Sequence, residues 1–335
     1  GGFQPVSMYP NPFTVTGGEE NRDWVYEEES HTLRILSGQV TAISGGAGTD
    51  ANQVPFSGRI ALADSIGAAS LTLGGVVCRV SSGRAFDLGR ANDVTLVLQS
   101  GTDNFFESGP GCAGISLGDG TTLCIDGSGA RGSDRNPAGT LTASGGKGGA
   151  GIGRDGGGGR DQTSHIRIRG GVITASGAGG GAGIGAGRRG RMGSITITGG
   201  TITSTGGTGG GAGIGGALGA PVGDISIHGG KVTAIAVYHA AAIGAGLQGQ
   251  CGNILITGTA RIVKALGGDP GADNGACLFG TCGKVNISGG ANIGSAQLWT
   301  RTGIALQMGD GTVTLPQFRL SAKSLGLDKL NILTR

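Results

Sequence analysis

The chain has 335 residues, 77 of them glycine and only 9 proline, and carries a net charge of +3. Without a Gly-X-Y triplet it is not collagen, and 37% hydrophobic against 14% charged residues is the reverse of a disordered composition. No run of apolar residues is long enough to predict a membrane span, and so small a net charge gives no reason to expect a nucleic acid partner.

In chain order, the opening "GGFQPVSMYP" lacks a charged stretch followed by an apolar run, so no signal peptide is expected. Its two leading glycines read as a cut from a longer chain. Residues 1–30 are assigned as an N-terminal cap or junction, because Phe3, Tyr9, Phe13, Trp24 and Tyr26 gather there. From His31 the chain alternates apolar and polar residues between turn residues, in "HTLRILSGQVTAISG", "GRIALADSIGAASLTLGGVVCRV" and "AFDLGRANDVTLVLQSGTDNFF". Beyond these, "SHIRIRGGVITASG", "SITITGGTITSTG", "DISIHGGKVTAIA" and "NILITGTARIVKALG" superimpose, putting Ile166, Ile195, Ile225, Ile254 and Val285 in one position. The spacing of about 30 residues falls among solenoid repeats.

Between the copies recurs "GGGAGIG", with Ile152, Ile184, Ile214 and Ile243 equivalent and Leu278 continuing the row. Three short alternating pieces per repeat, joined by glycines, predict an all-β fold: a single-stranded right-handed parallel β-helix over residues 31–297. Residues 298–335 are left as a C-terminal cap and junction, with Trp299 as a capping aromatic. Alternation predicts Ile166 and Ile168 inside the bore and His165, Arg167 and Arg169 outside, with Ala150, Ala182 and Ala212 lining one row. "GAGIGAG" is formally a phosphate-loop pattern, but it repeats turn after turn and opens no helix. It reads as architecture.

Six cysteines are present: Cys78, Cys112, Cys124, Cys251, Cys277 and Cys282. None has zinc-site spacing, and no metal or cofactor is expected. Cys251 and Cys282 hold one register in successive repeats, which suits either a disulfide or a stacked pair of thiols.

The richest polar stretch is "GRDGGGGRDQTSH", which brings Arg154, Asp155, Arg160, Asp161 and His165 to one corner. Two acids and a base there form either a groove able to hold or cleave a glycan or a solvated turn. "GRRGRMG" adds Arg188, Arg189 and Arg191, a loop that either attracts acidic glycans or is simply solvated. Together these eight residues are the candidate binding patch, and no catalytic residue is assigned. Asp224, Asp269 and Asp273 sit at different places in their repeats, so they form no acidic row. Between Glu107 and Leu298 the only aromatics are Tyr238 and Phe279, so no stacking platform for sugars runs along the shaft.

The repeats resemble a class of bacterial cell-surface β-helix proteins with "GGAGIGG" units, some described as carbohydrate-binding. The final stretch, "ALQMGDGTVTLPQFRLSAKSLGLDKLNILTR", resembles the segment of bacterial flagellins that follows the hairpin of the filament-core domain. Leu306, Gln307 and Gly309, and the run from Ser321 to Asn331, carry that likeness. The resemblance implies an extracellular, non-enzymatic outer domain of a flagellin-like filament subunit. Its partners would be other copies, met through flanking segments outside this chain, and glycans or host surfaces. The alternatives are a free-standing carbohydrate-binding surface protein and a polysaccharide-active β-helix enzyme.

Overall fold

The computed structural model describes Gly2, residues 6–127 and 137–268, and short pieces at 274–275, 282–283, 285–287, 291–293, 298–300, 307–308 and 333–334. Among the described residues there is no helix. Short strands stack in parallel into about eight right-handed turns, the expected β-helix. Each turn has three faces. In one turn these are His165–Ile168 on the first face, Val172–Ser176 on the second and Ile184–Gly185 on the third.

The alternation expected from sequence sets the bore. On the first face Leu123, Ile166, Ile195, Ile225 and Ile254 are successive partners, all buried. The second face stacks Ala143, Ala175, Ser204 and Ala234. On the third, Phe86, Ile115, Ile152, Ile184, Ile214 and Ile243 form an unbroken row. Each buried isoleucine contributes about 1.5–3 kcal/mol, so the rows rather than any single contact hold the stack together.

The glycine of each "I-G" pair has a specific reason to be glycine. Gly153, Gly185, Gly215 and Gly244 have φ of 143°, 138°, 133° and 141°, a region that other residues avoid. A Cβ on Gly153, Gly185 or Gly215 would also strike the carbonyl oxygen of the matching glycine in the next turn. The recurring string is therefore packed backbone, with no opening for a ligand.

The N-terminal turns are longer and less regular. Gly67–Arg79 runs over two faces, pairing with Asn92–Leu98 through its first half and with Phe105–Glu107 through its end. At the bend between them the buried Asn104 accepts hydrogen bonds from the Gly75 and Val76 amides at 3.0 and 2.8 Å. The stack ends in two antiparallel strands. Phe13–Thr16 lies along Ala42–Gly45, and Trp24–Glu27 along Thr32–Ile35. Phe13 is buried, Trp24 and Tyr26 pack on the core, and Tyr9 stacks against His31 and Phe56. Phe3, Asp269, Asp273, Cys277 and Leu278 lie outside the described residues, as does most of Ala305–Arg335; Gln307–Met308 pair in parallel with Asn286 and Ile287.

Candidate functional site

The corner between the third and first faces carries the polar residues singled out in the sequence, and the structure divides them into two groups. Arg154 is only 2% exposed. Its Nη1 donates to the Leu117 carbonyl at 2.7 Å and its Nη2 pairs with Asp119, both in the preceding turn. Gly159 keeps the space that the guanidinium fills, since a Cβ there would strike Nη2. Asp155 is also committed. One carboxylate oxygen accepts from the Ala113 amide at 2.7 Å and the Ser116 hydroxyl at 2.8 Å, and the other accepts from Arg84 Nε at 2.7 Å. Burial disfavours the charge on Arg84, but Asp155 and Asp87 outweigh that and raise its pKa. These two neighbouring side chains are staples between turns and do not face a ligand.

Asp161 lies apart from that network, on the surface. It accepts from the Thr163 hydroxyl at 2.6 Å and the Thr163 amide at 3.2 Å, and these bonds hold its carboxyl below the usual carboxylate range. The acid pair that sequence allowed is not assembled from Asp155 and Asp161, because Asp155 has both oxygens occupied by structural donors. His165 faces outward as expected and is half-buried. Its Nδ1 accepts the Ser194 amide proton at 2.9 Å and lies 2.9 Å from the Ser194 hydroxyl. A nitrogen already holding an amide proton is poorly placed to take one from the hydroxyl, so the contact is a further tie between turns.

Apart from Asp161 and the half-buried His165, the patch residues that stay outside are basic. Arg160, Arg188, Arg189 and Arg191 are exposed, and none forms an ion pair among the described residues. Their loops are stacked in register: the Gly157 amide donates to the Arg188 carbonyl at 2.6 Å, and the Arg191 amide to the Gly158 carbonyl at 2.8 Å. Arg189 sits at φ 54°. In the turns on either side the same place is taken by Gly157 at 67° and Gly219 at 60°. Around the corner, Arg167 and Arg169 project from the first face, also exposed and without an ion pair among the described residues. Both arginines line a groove of roughly 520 Å³ with Thr95, Thr122, Ser194 and Thr196. Sequence alternation placed these two outside, but only the stacking shows that they continue the corner's charge.

Cys251 and Cys282 do not form the disulfide that their register allowed. Both are buried thiols on neighbouring turns, and Cys251 leans on the Gly223 carbonyl at 3.9 Å. Burial, and then the neighbouring Cys282, push the Cys251 pKa well up. Among the described residues no His, Cys, Asp and Glu side chains cluster as metal ligands. Comparison with known proteins finds no matching family model, no matching curated protein and no matching solved structure.

Proposed function

We propose that this chain is a structural, surface-displayed module, the β-helical outer part of a flagellin-like filament subunit. The observation that carries the reading is the C-terminal stretch from Ala305, whose Leu306, Gln307 and Gly309 and Ser321 to Asn331 follow the flagellin order. The interior supports it. The repeated glycine string is closed backbone, and Arg154 and Asp155 tie turns together, so the conspicuous features of the shaft serve rigidity. A stiff rod in which Asp155 and Asp161 do not come together as an acid pair suits display better than catalysis. Antibodies raised against the chain are expected to decorate filaments along their length in electron micrographs. Label confined to the cell body, or a natural gene without long amphipathic helices on both sides of this segment, would overturn the reading.

A second reading is favoured by one observation. The exposed arginines around Arg189, which form no ion pair among the described residues, suit a free-standing carbohydrate-binding surface protein equally well, because they need no filament to act.

A further inference from the structure

We infer that the arginine band is a docking surface for an extended anionic polysaccharide. The inference deepens the surface-contact part of the proposed function and does not depend on the filament.

Charge is the first ground. Between Pro137 and Gly223 the chain carries eight Lys and Arg against two Asp and Glu, although the whole chain is only +3. One of those two acids, Asp155, is already held by Arg84. The excess is therefore concentrated on two or three turns of the shaft. Arg167 and Arg169, two residues apart along the first face with Cys124 and Thr196 as the stacked neighbours of Arg167, lie about 6.6 Å from each other, and Arg188, Arg189 and Arg191 crowd the corner that follows. With the buried Arg154 set aside, the surface keeps Lys147 and six exposed arginines against one exposed acid, Asp161, and the flat fork of arginine pairs with two oxygens of a sulfate or carboxylate at once.

Exposure is the second. Arg189 sits at the tip of an outward corner with φ 54°, a backbone shape that Ala91 and Gln248 hold at 53° and 56° in other turns, and all three side chains are exposed. The corner therefore presents whatever side chain it carries to solvent, and in this turn that side chain is an arginine between two more.

The surroundings select the polymer. No aromatic residue lies between Phe106 and Tyr238, so the band has no platform for unpaired bases. Nor can neutral sugars stack there. Hydroxyls of Thr95, Thr122, Ser194 and Thr196 line the groove beside Arg167 and Arg169 and suit the hydroxyls of a sugar chain, while the single carboxylate in the lining, Asp93, is outnumbered by the two arginines.

The test uses the full chain and four immobilised probes: heparin, polygalacturonate, neutral dextran and a 20-base-pair DNA duplex. Binding to one or both acidic polysaccharides is expected, with affinity falling steeply as salt rises and dextran ignored. Retention of heparin alone would assign the anion as sulfate, and of polygalacturonate alone as carboxylate. The pair Arg167→Gln and Arg169→Gln, and the triple Arg188→Gln, Arg189→Gln and Arg191→Gln, are each expected to weaken binding at least tenfold. Each arginine removed should lower the slope of log affinity against log salt by roughly one. Arg189→Gly separates function from fold: it should raise the melting temperature while lowering affinity. Failure to bind either acidic polysaccharide, equal or tighter binding to DNA, or variants that bind as wild type would overturn the inference. None of those outcomes bears on whether the chain decorates filaments.

Discussion

At the scale of single residues, the fold rests on positions where one side chain has no substitute. Gly185 combines a φ of 138° with a carbonyl from the next turn where a Cβ would be. Gly157 has a φ of 67° but nothing within 4 Å of the added carbon. Gly157→Ala should therefore lose only the conformational penalty, about 1–2 kcal/mol. Gly185→Ala adds a backbone collision that the stack can relieve only by shifting a turn, and should lose at least about 3 kcal/mol. Urea unfolding of the two variants decides it, and equal losses would remove the packing argument. Arg154 offers a second contrast. Arg154→Ala leaves a void and strands the Leu117 carbonyl and Asp119, an expected loss of about 3–5 kcal/mol. Arg154→Met keeps most of the buried stem and should recover a large part of that. If methionine proves no better than alanine, the hydrogen bonds rather than the packing hold this corner.

At the scale of elements, the N-terminal cap depends on a carboxylate. Asp23 lies in the turn before Trp24–Glu27 and accepts from the Ser37 hydroxyl and the Glu19 amide, each at 2.7 Å. Those bonds, Ser37 first, hold its pKa below the ordinary value of about 3.9. A depressed carboxylate stabilises the folded state above the unfolded value, and that stability is lost as pH falls through the lower folded one. Wild type should thus exceed Asp23→Asn in cap stability at pH 7, and the difference should narrow and close as pH falls through the depressed folded-state pKa, below the ordinary carboxylate value. Trp24 fluorescence during urea unfolding, in a Trp299→Phe background, reports it; a gap that stays constant into acid would show that the charge of Asp23 is irrelevant. The elements themselves differed in how openly the sequence showed them. From Ile152 onward each turn has one apolar spelling at one spacing, so face, register and bore were legible. The antiparallel pairing of the N-terminal segment was not, because strands Phe13–Thr16 and Trp24–Glu27 alternate no differently from parallel ones. The partners of Arg154 and Asp155 were hidden for a related reason. They lie 35 to 71 residues back, adjacent only once the turns are stacked.

For the whole molecule the two halves of the shaft are unequal. Near the N-terminal end Asn92–Leu98 pairs with seven residues of the preceding strand and six of the next. Its bore holds Leu71, Leu96 and the rings of Phe86 and Phe106, whose centroids are 4.9 Å apart. In later turns the first face pairs only three residues at a time, over a bore of isoleucine and alanine. In a stack where each turn touches only its neighbours, the weaker end opens first. The cysteines mark the two regions. Cys78 and Cys251 are buried, and burial raises both thiols far above their ordinary range, so neither should be alkylated while its turn is closed. Cys112 and Cys124 are half-buried and should be the first of these four to react with iodoacetamide in the native protein. Under rising urea Cys251 is then expected to become reactive before Cys78, as peptide mass spectrometry after timed alkylation would show. Simultaneous exposure would mean that the shaft unfolds as one cooperative block despite its uneven core. Earlier exposure of Cys78 would instead make the cap, rather than the glycine-rich turns, the weak end of the rod.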